Sequence, residues 1–249
     1  MTIKDELKAS RESLKGAPFK KKLSYFWDYY KWLTIGTAAV IVLIIAFIAI
    51  GTSNRETMFY GIFLNSMAYE DQIEVFGDDY VTDCGLDAEK YEAVIDVTLY
   101  MDEESLDSGL NTSIQKLSVF SATSQMDVLG GPLSAMNICI YDSYFYDLRT
   151  VLSEEQQESF EPYFLYVDEA IVEEKRAAET SSKTYEFTYP DPTKPEEMAS
   201  PVPVAIDVSS SEKLQQLYED NDEMLAIGIA IGTERMEQAV DFIEYLFEE

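Results

Sequence analysis

The sequence predicts an α/β protein in which one transmembrane helix precedes a three-layer domain with a mostly parallel sheet. Two observations lead to this fold class. Near the N-terminus lies one long apolar stretch without charge, which has the length of a membrane crossing. Beyond it, short apolar segments rich in β-branched residues alternate with segments whose apolar residues recur at helical spacing. Strands that alternate with helices favour a parallel sheet covered by helices on both faces.

The predicted transmembrane helix spans residues 32–53. No charged residue occurs from Trp32 to Asn54, and the centre of this stretch is almost wholly apolar. About 20 residues of helix cross the hydrocarbon core of a bilayer, so the length fits. The lack of a polar face favours a membrane helix over a buried helix of a soluble domain. The long segment before it favours an uncleaved anchor over a cleaved signal peptide.

The orientation of this helix follows from the cations beside it. The N-terminal flank carries a cluster of lysines, namely Lys20, Lys21, Lys22 and Lys31. Because cytoplasmic flanks carry an excess of Lys and Arg, we expect residues 1–31 to form a basic cytoplasmic tail. Residues 54–249 are then an extracellular domain of a single-pass protein of the cell membrane. The four lysines are also expected to bind anionic lipid head groups, at about 1 kcal/mol per cation.

The extracellular part contains five predicted strands with helices between them. The strands are expected at residues 58–65, 91–100, 126–131, 203–208 and 225–232. The helices are expected at residues 69–76, 105–121, from Pro132, from Ser153, from a cap at 209–212 to 218, and from 233 to 246. The Ser153-Glu-Glu-Gln156 start has the form of a capping box. Residues 173–200 are charged and rich in Ser, Thr and Pro, which predicts an exposed excursion with a small hairpin at 184–188.

The N-terminal tail is basic and the rest of the chain is strongly acidic, which limits the classes of partner that the chain can bind. Residues 1–31 contain eight Lys and Arg and four Asp and Glu, whereas residues 51–249 contain ten and 43. A domain this acidic repels phosphate backbones, so no nucleic-acid partner is expected. The chain has no histidine, which removes Ser-His-Asp and Cys-His catalysis and His-ligated zinc. The chain is therefore predicted not to be an enzyme.

Cysteines and acidic clusters give little sign of a cofactor. Cys84 and Cys139 could pair outside the cell, or Cys139 could pack as a small hydrophobe within the apolar run 136–141. The acidic clusters lack the spacing of an EF-hand loop, and a solvated acidic surface explains them better. No metal and no cofactor are expected.

Candidate ligand-binding residues follow the predicted strands. In open α/β sheets, ligands lie beyond the carboxyl ends of the strands. The residues at these ends are Asn65, Ser66, Gly130, Gly131, Asp207 and Ser209. Each also has a purely structural interpretation, because Asn, Ser and Asp cap helices and Gly permits tight turns.

Several segments resemble type 2 extracellular solute-binding proteins. The resemblance is carried by Asp127-Val-Leu-Gly-Gly131, Tyr144-Phe-Tyr-Asp-Leu148, Leu152-Ser-Glu-Glu155, Pro203-Val-Ala-Ile-Asp207 and Ala239-Val-Asp-Phe-Ile-Glu-Tyr-Leu246. It implies one lobe of that fold, with residues 140–200 as a reduced second lobe or an excursion. With Trp27-Asp-Tyr-Tyr-Lys-Trp32 before its anchor, the whole chain is similar to membrane-anchored proteins of Gram-positive gut bacteria.

Two functions remain open from the sequence. The first is a membrane-anchored extracytoplasmic binding or interaction protein, whose partner is a small solute or an envelope membrane protein. The second is a structural or assembly subunit of a cell-envelope membrane complex that binds no ligand. In both cases the lipid bilayer is a partner, because the predicted anchor lies in it.

Overall fold

The computed structural model describes residues 55–101, 108–179, 187–219 and 221–248, together with positions 18, 20, 27, 31–32, 35–37 and 39–43. The chain divides into two compact units, Met1–Asn54 and Arg55–Glu249. Lys21, Lys22 and most of the predicted span 32–53 lie outside the described residues. Among the positions that are described, no helix has the length and apolar character needed to cross a membrane.

The second unit is built from strands and helices in alternation. Its described strands are β1 (Glu56–Phe63), β2 (Tyr91–Asp96), β3 (Val128–Pro132), β4 (Phe164–Asp168), β5 (Pro201–Asp207) and β6 (Leu225–Ile229). Its described helices are α1 (Glu70–Asp83), α2 (Ser108–Ala122), α3 (Leu133–Ile140), α4 (Leu148–Val151), α5 (Glu154–Phe160), α6 (Glu169–Glu179), α7 (Glu212–Gln215) and α8 (Met236–Phe247). Single 3₁₀ turns lie at Glu161–Tyr163 and Pro195–Glu197.

The strands form one mixed sheet in the order β2-β1-β3-β6-β5-β4. Strand β1 pairs in parallel with β2 and β3, whereas β6 is antiparallel to both β3 and β5. Strand β4 is antiparallel to β5. The prediction of a mostly parallel sheet is therefore wrong. After β5 the chain forms only the short helix α7 and returns from the same edge, so β6 runs back against β5 instead of crossing over.

Helix starts follow from local capping chemistry. The Ser153 hydroxyl accepts a hydrogen bond from Gln156 N–H at 3.2 Å, and the Gln156 side chain accepts one from Ser153 N–H at 2.9 Å. This reciprocal pair is the predicted capping box, and it begins α5. The Ser211 hydroxyl caps α7 through one hydrogen bond, which it accepts from Leu214 N–H at 3.3 Å.

Two apolar cores, one on each face of the sheet, make the domain three-layered. The first core joins Phe59 and Phe63 of β1 to α1 and α8, and the Phe59 and Phe242 rings stack at 4.5 Å. The second core joins Ile62 and Leu129 to α2, α3 and α6. Residues of β1 alternate between the two cores because successive side chains of a strand point to opposite faces.

Residues 140–200 contribute to the same sheet and the same cores. Leu148 and Phe160 lie in the first core, while Leu165 and Val172 lie in the second. The edge strand β4 is followed by α6, so residues 173–179 are helical. Pro192 O accepts a hydrogen bond from Tyr166 N–H at 2.8 Å, which places the returning chain along β4. Most of the predicted hairpin at 184–188 falls outside the described residues.

The two cysteines are free thiols. Cys84 packs against the first core and Cys139 lies within the second, so the sheet separates them. Cys139 lies 3.8 Å from the sulfur of Met101 and is fully buried. Burial raises the pKa of the Cys139 thiol to about 12, which keeps it protonated. Of the two interpretations of Cys139, the small buried hydrophobe is the one that this structure shows.

Candidate functional site

The structure places all six predicted ligand residues at one edge of the sheet. Strands β1, β2, β3 and β5 run in the same direction, so their carboxyl ends share that edge. From β1 the chain goes to β2 on one side and then to β3 on the other. The crevice between β1 and β3 is thus a topological switch point, where open α/β sheets bind ligands.

Asn65 ties the end of β1 to the segment after β2. Its side-chain amide donates to Met101 O at 2.7 Å, and its side-chain oxygen accepts from Met101 N–H at 2.7 Å. The backbone of Asn65 is left-handed, with φ of 56°. Asparagine adopts this conformation more readily than most residues. Both polar atoms of the Asn65 side chain therefore bond the backbone of Met101 and hold the segment after β2 beside the end of β1.

Ser66 ties the same loop to the segment after α7. Its hydroxyl donates to Leu217 O at 2.8 Å and accepts from Ala68 N–H at 3.2 Å. Nearby, the buried Tyr218 hydroxyl donates to Leu64 O at 2.8 Å. Burial raises the pKa of Tyr218 well above its ordinary value, so this donor stays protonated. Two loops that are 151 residues apart are thereby held together.

Gly130 and Gly131 allow β3 to pack closely against its neighbours in the sheet. Both are buried. A Cβ on Gly131 would lie 2.9 Å from both the Cβ and the carbonyl oxygen of Leu64, and its φ of +154° disfavours other residues. A Cβ on Gly130 would lie 3.2 Å from Ala226 O. These contacts account for both glycines without a ligand.

Asp207 and Ser209 hold the turn from β5 towards β6. Oδ1 of Asp207 accepts from Ser209 N–H at 2.9 Å and from the Ser209 hydroxyl at 2.6 Å. The Ser209 hydroxyl in turn accepts from Leu225 N–H at 2.9 Å. This chain of hydrogen bonds fixes the first residue of β6, and it uses the polar groups of both residues inside the fold.

One cavity of about 370 Å³ opens at this edge, and we call it the edge cavity. Its lining residues are Asn65, Met67, Ala68, Tyr69, Gln72, Gln216, Leu217, Tyr218, Glu219 and Asn221. The volume is within the range of small-molecule sites, about 300–1,000 Å³. Among the six predicted residues, Asn65 alone belongs to this lining.

The edge cavity combines exposed apolar groups with neutral polar ones. Met67 is 84% exposed and Tyr69 is 74% exposed, and Tyr100 on the neighbouring segment is 55% exposed. The Gln72 amide donates to Glu219 at 3.2 Å, so the rim holds one carboxylate. No lining residue is a cation. An uncharged or cationic group therefore fits this cavity better than a carboxylate or a phosphate.

Met67 and Tyr69 were missed among the sequence candidates. The sequence feature that could have identified them is their position in a short loop between a buried strand and the start of a helix, where large apolar residues are expected to be exposed. Their exposure could not be inferred from the pattern alone, because a loop residue can also fold back onto a core.

Asp127 belongs to the motif that carries the solute-binding resemblance, and it is a structural residue. It is fully buried just before β3, at the edge opposite the edge cavity. Its carboxylate accepts from Tyr60 N–H at 2.7 Å, from the Thr233 hydroxyl at 2.5 Å and from Arg235 Nε at 2.8 Å. The buried charge is therefore paired and hydrogen-bonded, as its burial requires.

A larger cavity, of about 500 Å³, lies elsewhere, beside the outer strands β4 and β5. Its cation Arg149 is held by Asp147 at 2.8 Å, and Glu154 and Glu158 also line it. It lies on a helix-covered face of the sheet and not beyond the carboxyl ends of the parallel strands. Position therefore favours the edge cavity as the ligand site, although it is smaller.

In the described part of the chain, no three His, Cys, Asp or Glu residues lie close enough together to hold a metal ion. Comparisons of the chain with known protein families, with curated proteins and with solved structures found no match.

Proposed function

We propose that this chain is a membrane-anchored extracytoplasmic binding protein, with a domain that resembles one lobe of a type 2 solute-binding protein. The observation that carries the proposal is the edge cavity, which opens beyond the carboxyl end of β1 and is bordered by the exposed Met67 and Tyr69. Its ligand is an uncharged or cationic solute, or a segment of that character on an envelope membrane protein. The protein acts by binding and not by catalysis.

The membrane anchor is supported by sequence and by exposure. The uncharged stretch from Trp32 to Asn54 follows the basic flank of Lys20, Lys21, Lys22 and Lys31. Within it, Trp32 is 78% exposed and Val42 is 64% exposed at helical positions. Large apolar side chains that face outward on a helix suit lipid better than water.

A thermal unfolding assay tests the ligand proposal on the full chain in detergent micelles. Uncharged, cationic and anionic solutes and short peptides are added in separate series. At 100 times its Kd, a specific ligand stabilises the folded domain by about 2.7 kcal/mol. We expect a stabilisation that depends on Tyr69 from uncharged or cationic members only. Tyr69→Ala is expected to abolish the effect.

Val119→Ala is the matched control for Tyr69→Ala, because Val119 is 60% exposed on α2, away from the cavity. It should keep the ligand effect. If no member of the series stabilises the protein, or if Tyr69→Ala responds as the wild type does, the edge cavity is not a ligand site.

The second candidate is a structural or assembly subunit without a ligand. It is favoured by the internal hydrogen bonds of Ser66, Asp207 and Ser209, which leave the carboxyl-end edge largely self-satisfied. It predicts that a stoichiometric partner co-purifies from native membranes and that Tyr69→Ala does not release it. Loss of that partner in Tyr69→Ala would instead assign the partner to the edge cavity.

A further inference from the structure

A third cavity lies between α2, α6 and the turn after α3, and we call it the basic cavity. It has a volume of about 340 Å³. Its polar lining consists of Ser118, Asp142, Ser143, Tyr144, Lys175 and Arg176. It is lined by none of the residues of the edge cavity. Two adjacent cations at one cavity are unusual here, because residues 51–249 contain ten Lys and Arg against 43 Asp and Glu.

Arg176 differs from the other arginines of the domain. Arg55, Arg149 and Arg235 each bond a carboxylate, at 2.6, 2.8 and 2.8 Å respectively. Among the described residues, Arg176 has no carboxylate partner and donates to the Ser143 hydroxyl at 3.1 Å. A guanidinium can bind a carboxylate through two parallel hydrogen bonds. Although the domain is acidic, the guanidinium of Arg176 bonds no carboxylate among the described residues and borders a cavity.

Lys175 fixes the net charge of the basic cavity. It forms an ion pair with Asp142, and its side chain is 23% exposed. Burial by itself lowers the pKa of Lys175, but the hydrogen bond and charge of Asp142 outweigh it and raise the pKa overall. Lys175 therefore stays protonated. With Asp142 neutralising one of the two cations, the lining retains one positive charge, which matches a monoanion.

Hydroxyl groups complete the lining. The Ser118 and Tyr144 hydroxyls lie 3.2 Å apart. The Ser118 hydroxyl donates to Ile114 O at 2.9 Å, so the Tyr144 hydroxyl is the donor to Ser118. Burial raises the pKa of Tyr144, which keeps this hydroxyl protonated. Tyr141 is 3% exposed, and its buried hydroxyl has no hydrogen-bond partner among the described residues, although the backbone of Asp168 approaches it.

The apolar part of the lining limits the class of anion. The Tyr141 ring stacks on the Tyr189 ring at 4.0 Å, and Val172 and Ile114 also face the cavity. These groups favour an organic anion with a small apolar part. A dianion such as a phosphate ester would leave an uncompensated negative charge inside an already acidic domain.

We propose that the basic cavity binds a small organic monocarboxylate. The Arg176 guanidinium holds the carboxylate, and the Ser143 hydroxyl supplies a further donor. Lys175, oriented by Asp142, contributes its positive charge from the cavity wall. The domain then has two separate sites, one for an uncharged or cationic group and one for an anion, and neither depends on the other.

Titration of the full chain in detergent micelles with sodium acetate and sodium benzoate tests this proposal. Sodium chloride keeps the ionic strength constant, and thermal unfolding and calorimetry report binding. We expect saturable stabilisation of the wild type by at least one carboxylate. Arg176→Gln should weaken binding by about tenfold or more, because a charge-assisted hydrogen-bond pair is lost. Ser143→Ala should weaken it by a smaller factor.

Lys116→Gln is the matched control, since Lys116 is an exposed cation on α2 that does not line the basic cavity. It removes the same charge and should leave the affinity unchanged. The proposal is overturned if neither carboxylate saturates beyond the chloride effect. It is also overturned if Arg176→Gln binds like the wild type, or if Lys116→Gln weakens binding equally, which would indicate a general field effect.

Discussion

The ion pair between Asp127 and Arg235 allows the sharpest stability prediction. Asp127 is fully buried, and the Arg235 side chain is 29% exposed. Arg235→Met leaves the carboxylate with only the Tyr60 N–H and the Thr233 hydroxyl as donors. Removing one partner of a buried pair costs about 3–5 kcal/mol. Because Arg235 is partly solvated, we expect the lower end, about 3 kcal/mol.

Urea and thermal unfolding of the full chain, followed by circular dichroism, measure this loss. For a domain of about 150–250 residues, each kcal/mol shifts Tm by about 2–4 °C, so Arg235→Met should lower Tm by about 6–12 °C. Arg149→Met is the control, because its pair with Asp147 is 50% and 29% exposed. That pair should contribute less than about 1 kcal/mol.

A double-mutant cycle isolates the pair itself. In Asp127→Asn the buried charge is gone, so adding Arg235→Met should cost much less than it does in the wild type. The expected coupling is about 1–3 kcal/mol. A loss in Arg235→Met no larger than in Arg149→Met, or a coupling near zero, would refute the reasoning.

Three further predictions concern backbone packing, acid stability and thiol reactivity. Gly131→Ala should cost about 2–3 kcal/mol in urea unfolding, because its Cβ would meet Leu64 at 2.9 Å; a loss below about 0.5 kcal/mol would contradict this. Burial raises the pKa of Asp168, but hydrogen bonds from three backbone N–H groups outweigh this effect and lower the pKa overall. The ionised Asp168 therefore stabilises the folded protein fully above about pH 4, and this stabilisation is lost as the pH falls through the lowered pKa. Asp168→Asn should therefore be less stable than the wild type at pH 7 and lose less stability during acidification; an unchanged slope of Tm against pH would argue against it. A thiol reagent should modify at most the half-buried Cys84 in the native protein and both cysteines in urea, whereas rapid modification of the buried Cys139 would be inconsistent with its place in the core.

Much of the fold could be predicted because burial leaves a mark on the sequence. Residues 58–63 of β1 and all of β6 are continuous apolar runs, and α8 has apolar residues at helical spacing. The capping box at Ser153 was readable because its two hydrogen bonds join residues three positions apart. Local contacts of this kind need no knowledge of the rest of the chain.

Strand directions and short edge strands could not be predicted in the same way. Strand β4 has five residues directly after a 3₁₀ turn, too few for a clear alternating pattern. The direction of β6 depends on whether the chain crosses the sheet after α7 or turns back. That choice is decided by which apolar faces meet in the cores, and the alternation of strands and helices does not encode it.

The position of the candidate site could also be predicted from the sequence, whereas the contacts of its side chains could not. Its edge follows from the rule for carboxyl ends of strands, and the structure places Asn65 and Gly131 there. Whether a polar side chain remains free is decided by contacts far away in the sequence. Asn65 bonds Met101, which is 36 residues away, and Ser66 bonds Leu217, which is 151 residues away. Such contacts are invisible before the chain is folded.

The most direct measurement of the proposed account is thiol labelling of intact cells with a membrane-impermeant maleimide. Two variants are prepared in a Cys84→Ser background, Val119→Cys in the domain and Lys8→Cys in the basic tail. Val119 is 60% exposed, so a cysteine there is accessible. We predict that Val119→Cys is labelled in intact cells and that Lys8→Cys is labelled only after the membrane is opened. Labelling of Lys8→Cys in intact cells, with Val119→Cys protected, would contradict an extracytoplasmic domain.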